Sequence, residues 1–378
     1  MKRSTDRILT THAGSLPRPP DLLEMIRAQA AGEPVDEAAF AARVQSAVAE
    51  IVRKQVEAGI DVVNDGEQSK TGFANYVQRR VAGFGGNNPD RRIFADQAEF
   101  PEFAPEAAPL IMARQMCIEP LVWRGDDDIQ ADLQNFQDAL AQTPAEEGFV
   151  PAPSLGIVAD QLVNRYYPTD AEYLYALADA LKHEYQAIAK AGFVLQIDAP
   201  DAAMGRHVEF KDHTLAGFRQ AIAQRVEILN HALDGISEEQ IRYHVCWGNY
   251  EGPHTHDVAL ADIVDLVLAV RAGAYSVEAS NPRHAHEWEV WEDVKLPDGK
   301  LLIPGVIDSA TNFVEHPQLV AQRIQQYAHL VGRENVIAGT DCGFGTSAGR
   351  LRVHPSIMWA KFQALAEGAR LASQRLWR

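Results

Sequence analysis

The sequence predicts a parallel (β/α)8 TIM barrel as one domain over residues 1–378, and three observations predict it. Eight short apolar, β-branched runs alternate with long amphipathic helical patterns, the pattern of repeated strand–helix units. Polar residues collect where those runs end. No G-x-G-x-x-G follows the first run, so the alternative, a doubly wound sheet, lacks its phosphate-binding turn.

The runs, in order, are RILTTH (7–12), IDVVND (60–65), FVPAP (149–153), FVLQID (193–198), IRYHVC (241–246), AYSVEA (274–279), LLIPGVID (301–308) and NVIAGTD (335–341). Helical patterns at 37–59, 170–192, 214–233 and 256–273 separate several of them. Three of these reach a glycine, at Gly59, Gly192 and Gly273, a common helix stop because glycine accepts left-handed backbone. Residues 84–148 fit no strand–helix unit. They contain GGNNPDRR, PEFAPEAAPL and LIMARQMCI, and read as an excursion between strands two and three, a hairpin with helices covering the barrel mouth.

Composition narrows the partners. The 378 residues are 46% hydrophobic, enough for a substantial core. Net charge is −17 without a Lys/Arg block, which argues against nucleic acid and anionic membrane. Nothing approaches the roughly 18 apolar residues of a membrane span, and MKRSTDRILTTH has no apolar leader run. Three cysteines, Cys117, Cys246 and Cys342, make no disulfide framework, so a reducing, cytoplasmic setting is expected.

Strand side chains alternate faces, so His244 and Cys246 point the same way, about 7 Å apart along the backbone. Alone, that pair reads more simply as core. Barrel enzymes, however, gather functional groups at the C-terminal ends of different strands. Here THAGS follows the first strand, NDGE the second and Asp198 ends the fourth; His244 and Cys246 end the fifth, Glu278 the sixth, Asp341 and Cys342 the eighth. Strands five, six and eight of a closed barrel are near neighbours at its mouth. Two thiols, one imidazole and one carboxylate suit tetrahedral Zn²⁺. Such electron-rich ligands make zinc a poor activator of water but a good holder of a nucleophilic substrate thiolate. That chemistry favours alkyl transfer to sulfur over hydrolysis.

The motifs H-V-C (244–246), S-V-E-A-S (276–280) and T-D-C-G (340–343), with T-H-A-G-S-L-P-R-P (11–19), V-N-D-G-E (63–67), L-Q-I-D-A-P (195–200) and P-G-V-I-D (304–308), resemble the cobalamin-independent methionine synthase family. The resemblance covers the family's catalytic C-terminal barrel and spans essentially the whole chain. It implies zinc held by His244, Cys246, Glu278 and Cys342, with Ser15, Glu67 and Asp198 on the amino-acid part of a homocysteine-like thiol. In ordinary structural terms, Ser15 caps a helix, Glu67 complements a helix N-terminus and Asp198 caps the segment after its strand.

Three positions depart from the family pattern. Ala310 stands where the family carries a histidine thought to protonate the leaving group, Ala199 replaces the Glu of I-D-E-P, and VPAPSLG (150–156) lacks the family's folate-stacking Trp. This chain has its own basic set, His254 and His256 after strand five and Arg283, His284 and His286 after strand six. Singly, each reads as a polar loop residue. Together they are candidates for the missing acid, with Arg283 binding an anionic substrate group. That pattern resembles the short branch that includes epoxyalkane:coenzyme M transferases. The sequence therefore predicts a zinc-dependent thiol alkyltransferase taking a small-molecule thiol and an alkyl donor. Methyl transfer to homocysteine leads; epoxide opening by a zinc-bound thiolate is the alternative. A zinc hydrolase, disfavoured by the paired cysteines, or a non-catalytic metal- or thiol-binding protein is a further reading.

Overall fold

In the computed structural model, which describes residues 1–89, 93–103 and 114–378, ten strands form two sheets. They are β1 (Leu9–Thr10), β2 (Val62–Val63), β3 (Val81–Gly85), β4 (Met116–Trp123), β5 (Glu147–Pro153), β6 (Val194–Asp198), β7 (Ile241–Val245), β8 (Ala274–Glu278), β9 (Leu301–Ile307) and β10 (Ile337–Thr340). Eight of them pair in parallel in the order β1-β10-β9-β8-β7-β6-β5-β2. The ends of that order meet where the Asp61 N–H donates to the Thr10 carbonyl at 3.2 Å and the Thr11 hydroxyl to that of Val62 at 3.0 Å. The sheet is thus drawn into the (β/α)8 barrel that the sequence predicts, and each of the eight runs overlaps one barrel strand, β5 beginning two residues before its run.

The long helices follow their local chemistry. Glu37–Glu57 begins on an Asp36 cap, Leu215–Ala232 on Thr214, and Asp170–Lys190 on a Thr169/Glu172 capping box, which satisfies amide groups the first turn leaves open. Gly59 and Gly192 follow their helices at φ 86° and 89°. The pattern at 256–273 does not become one helix. Only Val264–Leu268 is α-helical, because Asp257 is drawn into hydrogen bonds with His254 and His284 instead of a helical turn.

β3 and β4 form the antiparallel hairpin of the excursion. Residues 90–92 and 104–113, including most of PEFAPEAAPL, lie outside the described residues. The short helix Ala95–Glu99 meets the loop after β7. Asp96 accepts hydrogen bonds from the Tyr250 hydroxyl and, at 3.1 Å, the His254 amide; Glu99 meets Thr255 and His256 at 2.8 Å each. The helix Asp126–Gln142 packs on Glu37–Glu57 and leads into β5, so it belongs to the outer ring.

Inside the barrel, Gly305 of β9 lies so close to Asp341 that an added Cβ would meet the Asp341 amide nitrogen at 2.6 Å. Gly305→Ala is expected to cost about 2–3 kcal/mol or more through backbone displacement. Gly192→Ala, with open space around it, should cost only the left-handed backbone penalty, about 1–2 kcal/mol. Urea unfolding of both variants checks the order.

Candidate metal centre

Parallel register builds the site in layers. Gln196 lies opposite Arg242, Asp198 opposite His244, His244 opposite Ser276, and Glu278 opposite Gly305. Alternation turns one face of each strand inward, so the lower layer holds Gln196 and Arg242 and the upper one Asp198, His244 and Ser276. Cys246 lies one residue past β7 and Cys342 two past β10, carrying their sulfurs to the same end.

His244, Cys246 and Cys342 converge. One ligand atom from each lies within 4.8 Å of the others, and the two sulfurs are 3.9 Å apart. The His244 Nδ1 is 3.1 Å from the Ser276 hydroxyl, whereas its buried Nε2 has no partner. Burial holds this imidazole below its ordinary pKa, which favours the neutral, ligating form. The sulfurs share a hydrogen bond that pulls the Cys246 thiol down, while that same contact and burial push Cys342 up; loss of a first proton from the pair is thereby favoured. A buried nitrogen left open beside two thiols fits a soft, borderline metal such as zinc.

Glu278 stands beside this trio but outside its 4.8 Å set. Its carboxylate accepts from the Trp247 amide at 2.8 Å and the Asn281 side chain at 3.0 Å. Burial, then the nearby Cys246 charge, push its pKa up to about 7. Asp341 is engaged away from the sulfurs, taking the amides of Ala279, Ser280 and Asn281 at 2.8–3.0 Å.

A cavity of about 220 Å³ opens above the trio. Ser15, Glu67 and Asp198 line it with His244, Cys246 and Cys342; Phe73, Phe94, Ile157 and Met204 give it an apolar wall. Glu67 is held at φ 55°, and its Oε2 is buried without a hydrogen-bond partner. Burial raises the Glu67 pKa against the pull of Lys70 and Arg18. Asp198 is pushed up to about 7 by burial. Its orientation comes from below. Arg242 donates to Gln196 Oε1 at 2.6 Å, and because arginine only donates, the Gln196 nitrogen must face Asp198, at 2.6 Å.

The four histidines expected to supply an acid, and Arg283 expected to bind an anionic group, do not line this cavity. His254 and His284 are buried against Asp257, at 2.7 and 2.8 Å. Burial opposes their charge, but the Asp257 contact raises both, and with Glu287 takes His284 to about 10. His256 pairs with Glu99 at 2.8 Å on the surface. His286 and Arg283 are exposed, and Arg283 donates to the His254 carbonyl at 3.2 Å. The physical reason is that Asp257 takes up the rings of His254 and His284 and Glu99 that of His256; His254 itself sits at a turn with φ 54°. Ala310 is tied to Asp308 through its amide, and neighbouring Ser309 contacts Asn249, a cavity residue.

Sequence reasoning missed Ser276, Gln196 and Arg242. Each lies two residues before a named site residue on the same strand face, so alternation alone would have marked them. Asn249, Arg350 and Phe94 line the cavity from loops, where no periodicity points to them.

Fold and site together define a class: a (β/α)8 barrel carrying a cluster of two thiols and an imidazole, a candidate metal site, at the C-terminal mouth of its strands. The chain belongs to a particular family within that class. Residues 8–123 and 154–357 match the model of the cobalamin-independent synthase catalytic domain, and the chain is a member of that family. It is 28% identical over 335 residues to a methionine synthase of Thermococcus kodakarensis, covering 88% of this chain and 86% of that one. It is 23% identical over 372 residues to the methionine synthase of Saccharolobus solfataricus, covering 98% and 96%. A solved B12-independent methionine synthase from Shewanella sp. W3-18-1, in complex with selenomethionine, shares the fold with TM-score 0.74 at 19% identity, covering 98% and 99%.

Proposed function

We propose that this protein is a zinc-dependent thiol alkyltransferase, with methyl transfer to homocysteine as its leading reaction. The observation that carries the reading is the convergence of His244, Cys246 and Cys342, with the His244 Nε2 buried and without a hydrogen-bond partner. The relatives named methionine synthase support it. His244, Cys246 and Cys342 would hold zinc, with Glu278 adjacent, and zinc there would keep a substrate thiol in its nucleophilic thiolate form at neutral pH. Asp198 and Glu67 would bind the ammonium of an amino-acid thiol, and Ser15 would hydrogen-bond the same end. The apolar wall of Phe73, Phe94, Ile157 and Met204 would exclude water from the transferred carbon. In the transfer, sulfur forms a bond to carbon as the donor's leaving group departs with the bonding pair.

A second reading, epoxide opening by a bound thiolate such as coenzyme M, is favoured by one feature. Among the cavity-lining residues, His244 is the only imidazole, so no free histidine is placed to protonate a leaving amine. Incubating the zinc-loaded protein with homocysteine and with coenzyme M, each against methylfolate and a short epoxide, separates the readings by product mass. No alkylated thiol in any pairing sinks both. No helix among the described residues is long and apolar enough to cross a membrane; the cytoplasmic setting stays part of this proposal.

Cys246→Ser and Cys342→Ser should each lose the sulfur-bound zinc and the activity, while the barrel stays folded. Cys117, buried in the hairpin with its Sγ 3.5 Å from the Glu119 carbonyl, is the control, and Cys117→Ser should retain the metal. Metal analysis after dialysis decides; full zinc in both site variants refutes the assignment.

Asp198→Asn should weaken homocysteine far more than coenzyme M, which has no ammonium group. Loss of a charged hydrogen bond, about 1.5–3 kcal/mol, corresponds to a roughly ten- to hundred-fold rise in KM for homocysteine. Equal losses for the two thiols would assign Asp198 to the fold or to the surroundings of the metal.

Methylfolate should be a slow donor beside a sulfonium or an epoxide. Its amine leaves poorly without a proton, and general acid catalysis typically contributes about 10²–10⁴-fold. Ala310→His is the corresponding gain-of-function variant. Rapid methylfolate turnover by the unaltered protein, measured against the small donors, would contradict this.

A further inference from the structure

A second cluster of ligand-type side chains lies behind the cavity wall. His254 Nδ1, His284 Nε2 and Asp257 Oδ2 lie within 4.8 Å of one another and are almost fully buried. The remaining nitrogens already have acceptors: His254 Nε2 meets the Tyr250 carbonyl at 3.0 Å, and His284 Nδ1 meets Glu287 at 2.8 Å. Metal-bound histidines are typically oriented this way, with the distal N–H held by a carbonyl or carboxylate. A third imidazole faces the same carboxylate. His207, 1% exposed, has no hydrogen-bond partner on either ring nitrogen, and its Nδ1 lies 3.4 Å from Asp257 Oδ1, itself without a hydrogen-bond partner. Buried polar atoms are rarely left so.

We propose that His254, Asp257 and His284 bind a second divalent metal ion, with His207 beside it but outside their 4.8 Å set. Without an ion, each of the two bonded rings faces acceptors on both sides, so both must carry two protons, and His207 stays unsatisfied. One dication in place of two protons leaves each of the two bonded rings a single N–H, held by the Tyr250 carbonyl and by Glu287. Metal–ligand bonds of about 2.0–2.2 Å put tetrahedral ligand atoms about 3.3–3.5 Å apart, so seating the ion opens the 2.7 and 2.8 Å contacts to Asp257 by a few tenths of an ångström. Imidazole and carboxylate without sulfur select zinc or another borderline divalent metal. The role is structural. The ligands come from the segments after β7 and β8, and the ion would tie these together behind Trp247, which stacks on His284 with ring centroids 4.0 Å apart.

This site is independent of the sulfur ligands, so its failure and the failure of the proposed thiolate chemistry can be told apart. Zinc per chain is measured after dialysis for the unaltered protein, the Cys246→Ser/Cys342→Ser double variant, Asp257→Asn, and the three changes combined. The expected stoichiometries are two, one, one and none. The first two samples leave the second cluster intact, so they decide even where Asp257→Asn fails to fold. Cobalt substitution in the double variant gives a further readout: bound cobalt without thiolate charge-transfer absorption. One zinc in the unaltered protein and none in the double variant overturns the proposal and leaves the thiolate site standing. One zinc that survives loss of both cysteines supports it and overturns the thiolate site instead.

Discussion

The barrel is closed at one seam by Asp61. β1 and β2 each contribute two residues, too few for a ladder, and side-chain hydrogen bonds replace it. The Asp61 carboxylate accepts the Thr10 amide at 2.9 Å and the Thr10 hydroxyl at 3.0 Å, and Arg7 braces it at 2.7 Å. Beyond the seam the two loops lock together. Leu16 donates to the Gly66 carbonyl at 3.1 Å, and buried Arg18 reaches the carbonyls of Glu67 and Lys70 at 2.8 and 2.9 Å. The loop after β10 joins them, with Phe344 donating to the Ser15 carbonyl at 2.8 Å. Ser15, Glu67 and Cys342 come from distant parts of the sequence and meet only because this seam is shut.

Closure creates an interior in which charge is expensive, and the barrel places charge there nonetheless. Arg242 lies buried over the Phe149 ring, its donors reaching Gln196, Thr11 and the His12 carbonyl, none of them a carboxylate. Burial brings its pKa down to about 9. Such a cation does not help the fold by itself. It fixes the Gln196 amide, and through it Asp198, so the energetic cost of the lower layer maintains the geometry of the upper one. Lys361, fully buried and paired with Glu315 at 3.0 Å, has a direct ionic partner; Arg242 relies on dipoles.

Much of this was legible in the sequence because parallel strands, buried on both faces, are written as β-branched runs, and polar residues at their ends stand out against them. The same contrast marked His244, Cys246 and Cys342. Glu278 was correctly put at a strand end, but its neighbours Trp247 and Asn281, which engage its carboxylate, could not be foreseen. Loop histidines carried the opposite lesson. His254 and His284 follow β7 and β8 closely in sequence, yet both rings are taken up by Asp257, a loop partner that no periodicity points to. The region 256–273 has helical periodicity, and the demands of Asp257 override it over the first turns.

The 3.9 Å between the sulfurs of Cys246 and Cys342 also sets a chemical condition on the site. A disulfide needs the atoms to approach to about 2.05 Å, a short travel for two side chains already in contact. Forming it withdraws two electrons and removes both thiolates together. An oxidised pair would have no thiolate to offer an ion, so disulfide formation and the proposed zinc binding would exclude each other.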